Sequence, residues 1–173
     1  MAASQPLEAG DVHQILDALV AVNIAVWVDG GWGVDALLGE QTRPHADLDV
    51  VLDIERLADT QAALAPLGFR LTEDELPTRC VLMDGRGRQL DVHPVRFDEH
   101  GSGWQAQPSG PSFEYTAAGL AGQGVIGGRP VRCLSVELQV TTHQAYEPDD
   151  NDRHDVRLLC ARFGHELPAG YGG

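Results

Sequence analysis

The sequence predicts a mixed α/β domain, helices packed on a mixed sheet (α+β in type), on three observations. Helical and strand periodicities alternate along residues 10–97. The strand-like runs are short and β-branched, and Gly, Pro and Asp punctuate them. Composition agrees: 173 residues with 43% hydrophobic and 22% charged is globular. A chain of this size buries roughly 70% of its unfolded surface in one core.

Val12, Ile15, Leu16, Leu19 and Val20 fall at i, i+3, i+4, i+7 and i+8, one face of a helix. Ile24 to Val28 reads as a buried strand that ends at Asp29-Gly30-Gly31. Helical spacing resumes over Trp32–Leu38 and stops at Gly39, placed as a C′ glycine. Asp47–Asp53 is a second strand, followed by a helix near Ile54–Leu64 and a Pro66/Gly68 break. Phe69–Thr72, Arg79–Met83 and Arg88–Val95 read as strands, the last two joined as a hairpin across residues 84–87. From His100 to Gly128 periodicity fades into Gly, Pro, Ser and Gln, predicting an irregular segment with short strands around Val125-Ile126 and Val131-Arg132. Ser135–Ala145, capped by its serine, and Asp149–Phe163 close the chain as helices. The division expected is a core at 10–97, the irregular segment at 98–134, and a small helical C-terminal extension at 135–165 packed on the core.

Charge narrows the function. The net charge is −14, and all twelve basic residues are arginine, since the chain has no lysine. Nucleic-acid binding, which needs clustered basic residues, is not expected, and lysine chemistry is excluded. Cys80, Cys133 and Cys160 show no metal or disulfide spacing and read as reduced core residues. There is no lysine or arginine before Arg43 to form a signal-peptide n-region, and the apolar stretch from Ile15 to Val28 is interrupted by Asp17 and Asn23. A cytoplasmic protein without membrane contact is expected.

Asp47-Leu48-Asp49 carries the strongest local signal. In a strand, both carboxylates share one face while Leu48, Val50 and Leu52 take the other. Two like charges so close are relieved by a cation, and magnesium suits a few carboxylates plus phosphate oxygens. Leu90-Asp91-Val92-His93 repeats the alternation. If the two strands are neighbours, three carboxylates converge, the requirement of two-metal phosphoryl transfer. Gly30-Gly31 between strand and helix lets backbone N–H groups approach a phosphate. Each feature alone also reads as ordinary structure: a solvated strand face, or a tight turn capped by Asp29.

Taken in order, Asp29-Gly30-Gly31-Trp32-Gly33-Val34-Asp35, Thr42-Arg43-Pro44-His45-Ala46-Asp47-Leu48-Asp49 and Leu90-Asp91 resemble the nucleotidyltransferase superfamily (DNA polymerase β-like). Residues 27–50 resemble both the lincosamide nucleotidyltransferases and the aminoglycoside 2″-nucleotidyltransferases. The stretch from Gly124 to Cys133 resembles the aminoglycoside group. Leu90–Pro94 and the His143, Tyr146, Asp152, His154-Asp155 region resemble the lincosamide group. The resemblance implies the nucleotidyltransferase fold and transfer of a nucleoside monophosphate, AMP in the first instance, from a nucleoside triphosphate to a hydroxyl of a small molecule. It implies magnesium, two ions, held by Asp47, Asp49 and Asp91, with Asp91 also the general base. Gly30 and Gly31 would line the triphosphate; many superfamily members have Gly-Ser there, and this chain has Gly31 instead.

Without lysine, neutralising a triphosphate falls to magnesium, backbone N–H groups and arginine. Arg43 is the best placed, with Arg153 second, where the aminoglycoside group carries a lysine. His45, two residues before Asp47, reads as orienting the site or as a loop histidine, and His93 as orienting Asp91 or ending its strand. Trp32 reads as packing and Asp35 as supporting the turn, while Trp104 and Tyr146 face packing or ligand. The partners expected are nucleoside triphosphate and a hydroxyl acceptor, in a monomer or homodimer. The competing class is a nucleotidyltransferase-fold antitoxin or regulatory nucleotide-binding module.

Overall fold

The computed structural model describes residues 6–172. Helix α1 (Ala9–Val20) buries Val12, Ile15, Leu16 and Leu19, but Val20 is 61% exposed. Val20 stands about 80° round from Val12 at 100° per residue, in the last turn, so the expected stripe ends one residue early. Strand β1 (Val26–Asp29) leads directly into α2 (Gly30–Leu38), whose N-cap is Asp29 and whose C-cap Gly39 has φ +76°. The helix therefore starts two residues before its apolar periodicity does, because the glycines are inside its first turn. After β2 (Asp47–Asp53) come a 3-10 turn and α3 (Leu57–Leu64). A meander of β3 (Arg70–Glu75), β4 (Arg79–Met83) and β5 (Gln89–Phe97) follows.

The sheet runs β1-β2-β5-β4-β3 and is mixed, since β2 and β5 are parallel and the other pairs antiparallel. The outer strand β3 is exposed and carries Glu73, Asp74 and Glu75, charges that discourage pairing with a further strand. The segment read as irregular is more ordered than its sequence suggests. Strands β6 (Gly103–Gln105) and β7 (Phe113–Tyr115) extend the sheet from the end of β5. Three-residue strands are too short to leave an alternating pattern in a Gly- and Pro-rich stretch. Strands β8 (Gln123–Ile126) and β9 (Arg129–Arg132) lie where short strands were expected and pair as a hairpin against α2.

On one sheet face Leu48, Val50, Leu52, Leu90 and Val92 join α1 and α3 in the main core. On the other, Val51, Val95, Tyr115, Leu120, Leu134 and Leu138 form a second cluster that covers only the far end of β2. Asp47 and Asp49 share that second face, and the cover stops short of them. Helices α4 (Val136–His143), capped by Ser135, and α5 (Asp150–Phe163), capped by Asp149, pack against α2. No helix among the described residues is long and apolar enough to cross a membrane. The three cysteines are free and buried.

Candidate active site

The parallel register of β2 and β5 sets Asp49 beside Asp91, and the antiparallel register of β1 and β2 sets Asp29 beside Asp49. Carboxylates from three adjacent strands therefore share one end of the sheet, with Asp47 two residues along β2. His93 Nε2 lies 3.1 Å from Asp49 Oδ1. The histidine thus pairs with Asp49, not with Asp91 as its own strand had suggested, because the neighbouring strand brings Asp49 within its reach. Asp91 instead receives a bidentate pair from Arg79, Nε to Oδ1 at 2.8 Å and Nη2 to Oδ2 at 3.0 Å. Arg79 also reaches Glu73 at 3.0 Å. Sequence reasoning had given Arg79 no role; it sits one strand over, antiparallel, where no local pattern points to it.

Electrostatics follow from this crowding. Burial, then the charges of Asp49 and Asp91, push the Asp47 carboxyl up to about 6. Asp91 is raised by burial and held back by its hydrogen bonds from Arg79. Burial also raises Asp29, which is 5% exposed. For His93 burial opposes the charged form, but the Asp49 hydrogen bond and the surrounding carboxylates outweigh it and lift the imidazole to about 9. At neutral pH His93 is thus a cation among anions.

A divalent cation fits this donor set. Asp49, Asp91 and His93 have ligand atoms within 4.8 Å of one another, the two carboxylates as they stand and the imidazole once a dication has displaced its proton. Asp47 lies outside that trio but on the same strand face as Asp49, with a proton affinity raised by burial and then by neighbouring negative charge that a dication would offset.

The turn at the α2 N-terminus is built just as tightly. Gly30 has φ +58°, and a Cβ there would lie 2.2 Å from Asp49 Oδ2, so no side chain fits between turn and carboxylate. A Cβ on Gly31 would meet His45 Nδ1 at 2.4 Å and Arg43 Nη2 at 2.6 Å. Arg43 and His45 occupy the space over Gly31, so the absence of a serine there has a steric cause in this chain. His45 is 2% exposed, its Nε2 2.5 Å from Asp35 Oδ2 and its ring 4.8 Å from that of Trp32. Thr42 Oγ1 donates to the other Asp35 oxygen at 2.7 Å. Asp35 and Trp32 thus have the supporting places their sequence reading gave them.

Both C-terminal helices reach this turn. Gln139, fully buried on α4, donates from Nε2 to the Gly30 carbonyl at 2.9 Å. Asp155, fully buried on α5, accepts from Arg43 Nε at 2.9 Å and Nη2 at 2.6 Å. Neither residue carried a role in the sequence reading, and their partners lie 109 and 112 residues away. Arg153, two residues earlier on α5, has an ion pair with Asp150 at 3.6 Å.

A cleft of about 270 Å³ opens beside Asp29, Gly30 and Asp49. Its outer wall includes Arg79, Gln105, Phe113, Tyr115, His143 and Tyr146. Tyr146, 53% exposed, donates from its hydroxyl to Asp152 at 2.8 Å. Trp104 is 40% exposed and donates to Asp98 at 2.9 Å; it is not part of the cleft wall. A larger groove of about 450 Å³ lies between α1 and β9, away from the aspartates.

Comparison with known proteins agrees with this geometry. A family model for aminoglycoside-2″-adenylyltransferases matches residues 11–159. The chain is 30% identical to a lincosamide resistance protein of Staphylococcus haemolyticus over 86% of this chain and 92% of that one. It is 35% identical to a 2″-aminoglycoside nucleotidyltransferase of Klebsiella pneumoniae over 90% of this chain and 87% of that one. A crystal structure of the lincosamide antibiotic adenylyltransferase LnuA with lincomycin bound superposes with a TM-score of 0.79 at 28% identity, covering 89% of this chain and 97% of that one. ANT(2″)-Ia in complex with adenylyl-2″-tobramycin gives 0.71 at 27% identity, covering 90% of this chain and 89% of that one. The aspartates gathered at the sheet end thus sit in a chain that belongs to the aminoglycoside-2″-adenylyltransferase family, a nucleotidyltransferase of the antibiotic-modifying group.

Proposed function

We propose that the protein transfers AMP from magnesium-bound ATP to a hydroxyl of a small antibiotic, releasing pyrophosphate. The observation that carries this reading is the register that sets Asp49 beside Asp91, with Asp47 on the same face and Gly30 against Asp49. Asp47, Asp49 and Asp91 would hold the magnesium ions, with His93 facing them. Bound there, magnesium supplies charge neutralisation for the triphosphate and the leaving pyrophosphate. Gly30, Gly31, Arg43 and His45 are the triphosphate side of the site; Arg153, paired with Asp150, is the second arginine candidate.

Asp91 takes the acceptor proton as the acceptor oxygen attacks the α-phosphorus and the bridging oxygen leaves with pyrophosphate. Burial lifts its basicity above that of an ordinary carboxylate, and Arg79 holds its plane fixed. Each carboxylate oxygen keeps a second lone pair beyond the one given to Arg79.

For the acceptor, the cleft presents Arg79, two amides, two histidines and three aromatic rings, with Asp29 and Asp49 at its sheet end. With the carboxylates given to magnesium in this reading, the aromatic rings suit a hydroxylated ring carrying apolar groups, so a lincosamide-type acceptor is favoured over a polycationic aminoglycoside. We further propose that the protein acts in the cytoplasm, and that residues 135–165 belong to the nucleotide site instead of forming a separate unit.

The test is a panel of lincosamides and aminoglycosides with each nucleoside triphosphate, read as pyrophosphate release and acceptor mass. A lincosamide gaining the mass of AMP is the expected result. Magnesium-dependent nucleotide binding without pyrophosphate release for any acceptor would replace this reading with a regulatory binding module.

A further inference from the structure

Asp155 is a fully buried carboxylate whose recorded hydrogen bonds both come from Arg43. A buried ion pair gains little net stability over well-packed apolar residues, so its presence calls for another explanation. The guanidinium supplies one. Its Nε and Nη2 are fixed by Asp155 and its Nη1 by the Pro44 carbonyl at 3.2 Å, which uses three of its five N–H donors. The fork is locked in plane while Nη2 sits over Gly31, in the first turn of α2. The Arg43 side chain remains 20% exposed on a partner that is wholly buried. This is how a flexible cation is aimed: the carboxylate fixes the angle, and two N–H donors are left over.

We propose that Asp155 is a positioning residue for the triphosphate, setting the Arg43 guanidinium where α2 receives a phosphate. It makes the C-terminal helix part of the nucleotide site through one ion pair. The inference rests on the proposed transferase reading, and its test separates the two. Neutralising Asp155 alone frees Arg43 to swing; neutralising both partners restores a compatible buried pair but leaves no cation.

The experiment measures the dissociation constant of magnesium with a non-hydrolysable ATP analogue, together with the thermal midpoint, for wild type, Asp155→Asn and the double variant Arg43→Gln/Asp155→Asn. Asp155→Asn is expected to weaken analogue binding about tenfold, the scale of one charge-assisted hydrogen bond. The double variant is expected to recover thermal midpoint while binding stays weak. In turnover, nucleotide KM rises with Asp155→Asn while kcat at saturating nucleotide holds within about twofold. Recovery of binding together with stability in the double variant would make the pair a structural tie and overturn the proposal. So would wild-type affinity in a folded Asp155→Asn. If the wild type binds no magnesium–analogue complex, the transferase reading fails first and this inference with it.

Discussion

The two ends of the nucleotide site are built on opposite principles. At the sheet end, Asp29, Asp47, Asp49 and Asp91 crowd together, with His93 bonded to Asp49 and Arg79 to Asp91, and the carboxyl groups of Asp29, Asp47 and Asp91 are pushed up. At the turn end the buried carboxyl groups are hydrogen-bonded, Asp155 by Arg43 and Asp35 by His45 and Thr42. The first region has surplus negative charge, which a metal ion would relieve; in the second the carboxylates are already bonded and Arg43 keeps donors to spare, which suits a phosphate that must be held in one orientation. Charge left unbalanced marks where a cation is to enter, and charge fully balanced marks where geometry has been fixed in advance.

Breaking the sheet end has the largest expected effect. Asp49→Asn removes the carboxylate that touches His93 and flanks Asp29 and Asp91, with little change in volume. Magnesium-dependent nucleotide binding should be lost and transfer should fall by at least about 10²–10⁴-fold, as for loss of a general base. Calorimetry and single-turnover transfer measure the two, with circular dichroism to establish the fold. An unchanged affinity would show the aspartates to be a solvated strand face.

Asp91→Asn sharpens the comparison. If Asp91 acts chiefly as base, nucleotide affinity stays within a few-fold while transfer falls about 10²–10⁴-fold, because proton acceptance matters in the transition state. Equal losses in both would make it principally a metal ligand. The same single-turnover and equilibrium pair of measurements decides.

The unbalanced charge also predicts a pH dependence without metal. Asp47 has a raised folded value of about 6, so its favourable contribution is complete below its unfolded value near 3.8 and disappears as pH rises through 6. His93, raised to about 9, contributes fully below 6.5 and loses that contribution as pH rises through 9. The metal-free thermal midpoint should therefore fall by a few degrees in each window. Asp47→Asn should flatten the first window, His93→Gln the second, and saturating magnesium should reduce the first. A midpoint flat from pH 4 to 9 in chelator would contradict the electrostatic picture of the sheet end.

The smallest effect is expected far from both ends. Arg129 pairs with Asp17 at 2.8 Å beside the larger groove, with both side chains more than half exposed. Arg129→Gln should leave the thermal midpoint and the nucleotide affinity essentially unchanged, since so exposed a pair is screened by water and salt. A drop in affinity would bring that groove into the function and weaken the assignment of the site to the smaller cleft.

Much of this was legible from local spacing. Asp47 and Asp49 share a face because side chains alternate along any strand, and that holds before a neighbour is known. Gly39 ends α2 and Ser135 starts α4 through interactions within a few residues. Strands β6 and β7 left no such trace, being three residues each, and Val20 followed the apolar period yet stands exposed beyond the core.

By itself, the sequence determined the mixed fold, the aspartate face of β2 and the glycine turn, because each is written in residues near one another in the chain. Only the tertiary structure decided which partners those residues meet. Arg79 closes on Asp91 across a strand pair, His93 turns to Asp49 rather than along its own strand, and Gln139 and Asp155 return to a turn more than a hundred residues earlier. An ion pair needs two side chains within about 4 Å, and the spacing of residues in sequence says nothing about that distance once the chain has turned back on itself.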